Sequence, residues 1–244
     1  MNRLYIVEGL PCSGKSSTAR AIADMLSEMG NNVRYTDEGS GEHPADYEYH
    51  AFVDGKVISL AQLSEEEARQ LMPCKIYDGL PWEKEAPLML EKWRQFVREA
   101  DPDCIYVFNC VLLQNPMCET MMRFNMTEQE SECHIRSIAD IIVPMKPIII
   151  YLHNDDIRDS IRRASVDRPG WLDAVIGYHT DGGYGRAIGA HGFDGYITCL
   201  EERQRREERI LQRLPVEKLV LSNPQRDWQT AHAQLRGLLA GRGQ

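Results

Sequence analysis

Residues 5–18 read YIVEGLPCSGKSST, a short apolar run followed directly by two glycines, a lysine and several hydroxyl residues. The apolar run at 3–8 predicts a buried strand. Positions 15–29 predict a helix, because apolar residues recur at helical spacing from Ala19 to Leu26. The stretch therefore predicts a strand, a glycine-bearing turn and the start of a helix.

The turn from Gly9 to Ser16 fits the pattern G-x-x-x-x-G-K-[ST] at every position. Glycines let backbone N–H groups point inward at a phosphate, and the N-terminus of the following helix adds positive potential. In this motif the lysine, here Lys15, reaches the β- and γ-phosphates, and the hydroxyl of Ser16 binds Mg²⁺. We therefore predict a nucleotide phosphate site with ATP and Mg²⁺ as cofactors and Ser16 as a metal ligand. The predicted cofactor-binding residues of the motif are Gly9, Pro11, Cys12, Ser13, Gly14, Lys15, Ser16 and Ser17.

Short apolar strands alternate with helices along the rest of the chain. Strands are predicted at 3–8, 33–39, 104–108, 147–153 and 217–223, a hairpin at 51–59, and helices at 15–29, 88–98, 127–142 and 227–239. The alternation predicts an α/β protein with the three-layer P-loop NTPase fold, in which helices cover both faces of a parallel five-stranded sheet.

One domain spanning 1–244 accounts for the length, with an acceptor-side insertion at about 39–100 and a lid insertion at about 155–200. Two stretches, 39–87 and 169–196, carry little strand or helix signal. Long irregular segments rich in aromatic residues favour lids over disorder.

The composition bounds the partners. Lys plus Arg number 28 against 37 Asp plus Glu, a net charge of −9, and such an acidic balance argues against nucleic acid as a partner. No run of 18 apolar residues predicts a membrane span, and the seven scattered cysteines are typical of reduced thiols in the cytoplasm. The oligomeric state stays open, with a homodimer as one option.

The opening stretch resembles that of thymidylate kinases and their nucleoside-monophosphate-kinase-like relatives, in which a strand ends in Glu-Gly before the phosphate loop. The segment TDEGS (36–40) is similar to the Thr-Arg-Glu-Pro-Gly type segment that follows the second strand of that family. The segment YLHNDDIRDSIRRASVDRPG (151–170) falls where the family has a strand, an acidic turn and an arginine-bearing lid. The resemblance implies the fold and the donor chemistry of a P-loop kinase.

The chain departs from this family at the end of the third predicted core strand. Thymidylate kinases have Asp-Arg there, and this chain has Asn109 and Cys110. A neutral amide does not replace a carboxylate near Mg²⁺, and a thiol does not replace an arginine at a phosphate. Thymidylate is therefore not the expected acceptor, and any mononucleotide acceptor lacks one expected cation.

Asp37 and Glu38 follow the second predicted strand, and ligands of parallel sheets bind at the carboxyl ends of strands. Either acid is a candidate catalytic base that accepts the proton of an acceptor hydroxyl. Shikimate and chloramphenicol kinases resemble this layout, with an acid after the second strand at the acceptor. Glu38 falls at the position of the family glutamate and is ranked first. The alternative is that both acids solvate the start of a loop.

Four arginines lie in the predicted lid, at positions 158, 162, 163 and 168. Arginines can clamp a transferred phosphoryl group and neutralise the charge on its oxygens. Arg162 and Arg168 match the two lid arginines of the resembled family and are predicted to be catalytic, and Arg158 is predicted to bind the cofactor. We expect two of the four to act at phosphate and the others to be surface charges.

The segment HPADYEYH (43–50) is dense in hydrogen-bonding groups and suits an acceptor with hydroxyls or amines. The alternative is an exposed polar loop with one buried tyrosine. Its histidines lack the partner set of a zinc site. Asn223, after the last predicted strand, is predicted to bind the cofactor, because in such folds this part of the chain often lies beside the nucleotide base. The predicted substrate-binding residues are Glu8, His43, Asp46, Tyr47, Asn109 and Gln114.

The acidic and basic residues of EERQRREER (201–209) alternate at helical spacing, which is typical of a solvated helix face. This segment is therefore assigned no role at the site.

These observations favour a phosphotransferase that moves the γ-phosphate of ATP to a small hydroxylated or aminated acceptor. One alternative is a nucleoside or nucleotide kinase, and another is a regulatory ATPase that signals to a protein partner. A regulatory ATPase is expected to have a carboxylate at the end of a core strand, and the third strand of this chain ends in YVFN without one. A kinase also needs a lid that excludes water, and the arginine segment supplies a candidate.

Overall fold

A computed structural model describes residues 1–240; the predicted domain span of 1–244 extends into residues 241–244, which lie outside the described part. The strands are β1 (Leu4–Gly9), β2 (Asn32–Thr36), β3 (His50–Val53), β4 (Lys56–Ser59), β5 (Cys104–Asn109), β6 (Pro147–His153) and β7 (Glu217–Ser222). The helices are α1 (Lys15–Glu28), α2 (Glu65–Leu71), α3 (Ile76–Gly79), α4 (Trp82–Glu99), α5 (Gln114–Met117), α6 (Glu128–Ile142), α7 (Ile157–Val166), α8 (Trp171–Thr180), α9 (Gly183–Ala187), α10 (Gly192–Arg213) and α11 (Trp228–Ala240). Short 3₁₀ turns lie at Leu60–Gln62, Met72–Cys74, Val143–Met145 and Pro224–Arg226, and Cys118–Arg123 forms a π-helix.

Within residues 1–240, five strands form a parallel sheet in the order β2-β5-β1-β6-β7, and β3 pairs with β4 in a separate hairpin. β1 is central, so its last residues lie beside the ends of both neighbours: Val7 pairs with Asn109 of β5, and Gly9 pairs with Leu152 of β6. The predicted three-layer P-loop NTPase fold is confirmed. Ligands of such a sheet bind at the carboxyl ends of its strands.

The two faces of the sheet bury different helices because side chains alternate along a strand. Leu4 and Ile6 of β1 pack in a core shared with α4, α6 and α10, which we call the α10 face. Tyr5 and Val7 pack against α1 and α11, which we call the α1 face. This alternation directs Glu8 to the α10 face, where it will matter for the site.

The acceptor-side insertion contains more regular structure than the sequence indicates. The predicted hairpin is present, and the Ser64 side chain accepts from the N–H of Glu67 in the capping box that starts α2. The predicted helix at 88–98 begins earlier, at Trp82, so that Pro87 lies inside the helix, in its second turn. Proline has no N–H to donate to the carbonyl four residues earlier and therefore indicates a helix boundary, but this helix continues through it.

The stretch 169–196 is helical, so its predicted irregularity is wrong. Its glycines permit close packing: a Cβ on Gly185 would lie 2.4 Å from the carbonyl oxygen of Thr180, and one on Gly183 would lie 2.5 Å from that of Arg123. Residues with a side chain do not fit at these contacts. The glycine-rich composition therefore reflects tight packing of α8, α9 and the π-helix.

The prediction of a solvated face for 201–209 is wrong for the inward side of α10. Arg203 and Glu207 are 1% and 0% exposed, and they pair with each other at 2.6 Å. The outward side agrees with the prediction, since the half-exposed Arg209 bridges to Glu128 at 2.7 Å.

Two further expectations from the sequence concern membrane-spanning helices and the state of the cysteines. None of the helices in the described residues combines the length and apolar character needed to cross a bilayer. All seven cysteines are free thiols.

Replacing Gly185 by alanine should destabilise the protein by about 1–3 kcal/mol, because the added methyl group collides with backbone. The matched control is Gly177→Ala in α8, where the nearest atom to a Cβ is 3.8 Å away, and where alanine should stabilise by up to about 1 kcal/mol. Urea unfolding of both variants measures the difference. Equal stability of the two variants would show that the close packing at Gly185 is not required.

Candidate active site

The turn between β1 and α1 depends on two glycines. Gly9 has φ +142° and Gly14, which precedes α1, has φ +97°. A Cβ on Gly9 would lie 2.8 Å from the carbonyl oxygen of Leu152, and one on Gly14 would lie 2.8 Å from the ring of Trp228. Lys15 closes the turn by donating from Nζ to the carbonyl of Leu10 at 3.2 Å. The turn therefore has the backbone form expected of a phosphate loop, with the lysine held across it.

Beside this loop, the ends of β2 and β5 bring an amide and a carboxylate to Ser16. Asn109 Nδ2 donates to Ser16 Oγ at 3.0 Å and to Asp37 Oδ1 at 2.6 Å. Arg20 donates to Asp37 Oδ2 at 3.1 Å. Burial alone would raise the pKa of Asp37, but the hydrogen bonds from Asn109 and Arg20 hold it below its ordinary value. Asp37 is therefore an ionised carboxylate close to the predicted metal ligand.

These groups fit a magnesium ion. Mg²⁺ prefers oxygen ligands and keeps several waters, so one hydroxyl and a nearby carboxylate suffice when phosphates supply the rest. The Oδ1 atom of Asn109 is buried and accepts no hydrogen bond from the described residues, so it is available as a further oxygen. In the part of the chain that the structure describes, no group of three or more His, Cys, Asp or Glu side chains is arranged to hold a metal ion by itself.

Glu8 has a positioning role, which differs from its predicted contact with the acceptor. Its fully buried carboxylate accepts the N–H groups of Leu112, Leu113 and Gln114 at 2.7, 2.9 and 3.2 Å. Burial raises the pKa of Glu8 to about 7, although the N–H donors oppose the shift. Glu8 therefore fixes the segment that follows β5, and with it the side chain of Gln114.

A cavity of about 700 Å³ opens above the phosphate loop. The loop contributes Pro11, Cys12, Gly14, Lys15, Ser16 and Ser17 to its lining. The ends of β2 and β5 contribute Glu38, Gln114 and Cys118, and the Gln114 amide donates to the Glu38 carboxylate. The lid contributes Ser160, Arg163, Ala164, Asp167, Arg168, Trp171, Val175, Tyr178 and His179. Arg203 of α10 and Gln225 complete the wall.

The four lid arginines separate into two pairs. Arg163 and Arg168 line the cavity. Arg158 instead pairs with Asp194 at 2.5 Å, and the guanidinium groups of Arg158 and Arg162 lie 5.3 and 5.2 Å from the ring centre of Phe193. Two of the four arginines thus line the cavity, but they are Arg163 and Arg168 and not the predicted Arg162 and Arg168. Arg158 and Arg162 lie outside the cavity lining.

Two polar residues predicted to bind the acceptor, His43 and Asp46, are buried in the insertion. Asp46 accepts from the Tyr77 hydroxyl at 2.6 Å and from the Asn115 amide at 2.8 Å. The ring of His43 meets that of Phe108 edge-on at 4.5 Å, and burial lowers the pKa of His43 to about 3. Both residues lie outside the cavity lining, so the structure assigns them to the packing of the insertion.

Tyr47 and Asn223 also lie outside the cavity lining. Tyr47 is buried, with Lys92 Nζ 4.9 Å from its ring centre. Asn223 accepts from the N–H of Asp155 at 3.0 Å and so joins the ends of β6 and β7. The residue after β7 that does reach the cavity is Gln225.

Sequence reasoning missed the residues of the inner wall, namely Cys118, His179 and Arg203. The only sequence signal was the spacing of Arg203 and Glu207 by four residues. That spacing indicates an ion pair on one helix face, but it does not indicate whether the face is buried.

Comparisons with known proteins support the fold. No protein-family model and no curated protein sequence matches the chain. Among solved structures, the thymidylate kinase of Ehrlichia chaffeensis has a TM-score of 0.50 at 16% identity, covering 98% of this chain and 100% of that chain. The YorR protein of Bacillus subtilis, solved in complex with phosphorylated GDP, has a TM-score of 0.46 at 14% identity, covering 97% of this chain and 95% of that chain. The chain shares the P-loop fold of thymidylate kinase, as the resemblance of its opening stretch implied.

The raised pKa of Glu8 should make stability depend on pH. Burial raises this pKa from 4.5 to about 7, so the stability contributed by protonated Glu8 is fully present below pH 4.5 and is lost as the pH rises through about 7. Glu8→Gln should therefore flatten the decline of the unfolding free energy between pH 5 and pH 8, measured by urea titration. The exposed Glu66→Gln is the control and should keep the wild-type slope. A Glu8→Gln slope equal to the control would contradict the assignment.

Proposed function

We propose that the protein is an ATP-dependent phosphotransferase that moves the γ-phosphate of ATP to a small acceptor. The observation that carries the proposal is the cavity that joins the phosphate loop, an exposed carboxylate at the end of β2 and two lid arginines. Phosphoryl transfer needs a cradle for the donor, a base for the acceptor and cations on the transferred group, and this cavity contains candidates for each.

The roles follow from the positions of the side chains. The amides of the phosphate loop and Lys15 would hold the β- and γ-phosphates. Glu38 lines the cavity and would accept the proton of the acceptor, and Gln114 orients its carboxylate. Arg163 and Arg168 would neutralise charge on the phosphoryl oxygens.

Magnesium would be held by Ser16 together with the phosphates, with Asp37 and Asn109 beside it. A bound Mg²⁺ supplies charge neutralisation on the phosphates. The end of β5 has Asn109 where a carboxylate was expected, and Asp37 brings a carboxylate next to that position. Glu38 remains the candidate base, because Asp37 is engaged by Asn109 and Arg20 and lies outside the cavity lining.

Two observations favour transfer over a regulatory ATPase. Residues of the lid helices α7 and α8 line the same cavity as the phosphate loop, and a lid at this place would exclude water from a reactive phosphoryl group. The cavity also extends beyond the loop to Cys118, Tyr178 and Arg203, so it has room for a second molecule. The absence of a carboxylate at the end of β5 no longer separates the two functions, since Asp37 lies beside Asn109.

A nucleoside or nucleotide acceptor is the second candidate. It is favoured by the fold shared with a thymidylate kinase and by Trp171 and Tyr178, aromatic rings in the cavity wall that could stack on a base. His43, Asp46 and Tyr47, which suggested a hydroxylated or aminated acceptor, lie outside the cavity lining. Both acceptor classes belong in the test.

Phosphoryl transfer should be assayed with γ-labelled ATP and a panel of nucleosides, nucleotides, sugars and amino acids. Lys15→Ala should abolish transfer to any acceptor found, because the main side-chain cation on the phosphates is lost. Circular dichroism and the melting temperature should stay close to wild type. Full turnover by Lys15→Ala would exclude the loop from catalysis, and no transfer to any member of the panel would count against the proposed function.

Glu38→Gln should lower kcat by about 10²–10⁴-fold while leaving the affinity for ATP almost unchanged, because a base acts in the transition state. The matched variant is Asp37→Asn, which should mainly weaken the dependence on Mg²⁺. Rates as a function of ATP and of Mg²⁺ separate the two effects. If Glu38→Gln is neutral and Asp37→Asn is slow without a change in Mg²⁺ dependence, Asp37 is the base.

Arg168→Ala should lower kcat by on the order of a hundredfold, as expected for loss of one charged donor to the transferred group. Arg162→Ala removes an arginine from the same lid whose guanidinium packs on Phe193, so its rate should change much less. Steady-state rates of the two variants decide the matter. Equal loss of rate in both would mean that the lid closes in a way that also brings Arg162 to phosphate.

A further inference from the structure

The inner wall of the cavity contains an arginine that is fixed from behind. Arg203 is 1% exposed, and its Nε donates to Glu207 Oε1 at 2.6 Å. The hydroxyl of Tyr151 donates to the other oxygen of Glu207 at 2.9 Å. The carboxylate is thereby used on both oxygens, and the guanidinium is held in one orientation. A buried arginine with this support is pre-organised at the side that faces away from Glu207.

That side of the guanidinium has little to bind in the described part of the chain. Nη1 donates to Cys118 Sγ at 3.3 Å, and Nη2 has no hydrogen-bond partner among residues 1–240. A thiol sulfur is a weak acceptor, and burial raises the pKa of Cys118 to about 11, so the thiol stays neutral. Arg203 and Cys118 both line the cavity. An edge with two N–H groups matches the two oxygens of a carboxylate or phosphate, which would displace the thiol.

A second polar residue of the same wall is also unsatisfied. His179 lines the cavity, and its Nδ1 is buried without a partner among the described residues. Its ring stacks on Tyr196 at 5.2 Å, and the buried hydroxyl of Tyr196 likewise finds no partner within residues 1–240. Burial, and to a smaller extent the charge of Arg203, lower the pKa of His179 to about 3, so the ring is neutral and keeps one N–H to donate.

Buried polar groups are normally hydrogen-bonded, and each exception calls for an explanation. Here Arg203, His179 and Tyr196 contribute three exceptions in one region, two of them from residues that line the cavity. All three belong to the lid or to α10. An anion site requires hydrogen-bond donors that face a cavity and have no partner in the protein.

The position of this wall favours the acceptor over the donor. Arg203 donates to Cys118, which belongs to the segment after β5 and not to the phosphate loop. Cys118 follows Gln114, whose amide binds the candidate base Glu38. An anion at Arg203 is therefore on the side of the cavity that the acceptor would occupy.

We propose that Arg203, together with His179, forms an oxyanion subsite that binds a phosphate or carboxylate group of the acceptor. The assignment of the anion to the acceptor rests on the proposed function, and the subsite itself does not. The subsite supplies a cation that the sequence lacked at Cys110, where the resembled family has arginine.

The test uses the full chain with the phosphate loop disabled by Lys15→Ala, so that anions bound at the loop do not dominate. Inorganic phosphate and succinate are titrated separately by calorimetry into Lys15→Ala, into Lys15→Ala with Arg203→Lys, and into Lys15→Ala with Arg205→Lys. Arg203→Lys keeps a positive charge beside Glu207 but loses the two-nitrogen edge. Arg205 is exposed on the same helix and is the matched control.

We expect Lys15→Ala to bind at least one probe, Arg203→Lys to weaken that binding at least about tenfold, and Arg205→Lys to leave it unchanged. Binding of phosphate alone indicates a phosphoester on the acceptor, and binding of succinate indicates a carboxylate; both outcomes support the subsite. Binding of neither probe, or equal affinity in the two arginine variants, would overturn it.

Circular dichroism and thermal unfolding accompany each titration. If Arg203→Lys does not fold, His179→Phe takes its place, because phenylalanine keeps the stack on Tyr196 and removes the ring N–H; affinity equal to Lys15→Ala would then overturn the proposal. The transfer assay with the wild-type chain is scored separately. Probe binding without transfer leaves the subsite standing and rejects the proposed function, whereas transfer without probe binding rejects the subsite alone.

Discussion

Close backbone contact at Gly9 and Gly14 is the constraint on which the rest of the site depends. A side chain at Gly9 would collide with β6, and one at Gly14 would collide with the Trp228 ring of α11. The loop is therefore packed against elements on either side and adopts its shape before any ligand arrives. Pre-formed sites avoid the entropy cost of ordering a loop upon binding. The residue before the first glycine, Glu8, extends this order to the neighbouring strand by holding three N–H groups after β5.

Charge is distributed over the site in a way that the whole-chain balance conceals. The chain is acidic, with a net charge of −9, yet Lys15, Arg163, Arg168 and Arg203 all reach one cavity. The two carboxylates close to these cations differ in their hydrogen-bond partners. Asp37 accepts hydrogen bonds from Asn109 and Arg20. Within the described residues, the carboxylate of Glu38 accepts a side-chain hydrogen bond only from the neutral amide of Gln114. Glu38 also lines the cavity. A polyanion and a base can therefore act side by side.

The sequence predicted the parallel sheet and the phosphate loop because both depend on local patterns: apolar runs, capping residues and a motif with fixed spacing. It failed where tertiary contacts decide. The glycines of 169–196 predicted irregular chain, but at Gly183 and Gly185 they allow helices to approach closely. The charges of α10 predicted a solvated face, but Arg203 and Glu207 form an ion pair at buried positions of the helix. The segment of His43 and Asp46 was predicted to contact the acceptor, because residue identity alone does not show whether a polar side chain is buried in the fold or faces a ligand. The adjacency of Asp37 and Asn109 required the strand order, which places β2 beside β5.

The central claim is that the loop from Gly9 to Ser16 binds the triphosphate of a nucleotide. Isothermal titration calorimetry of the purified full-length chain with ATP, and separately with GTP, in the presence of Mg²⁺ tests this most directly. We predict that at least one of the two nucleotides associates with one site per chain. The absence of measurable binding by both, to a protein shown by circular dichroism to be folded, would contradict it.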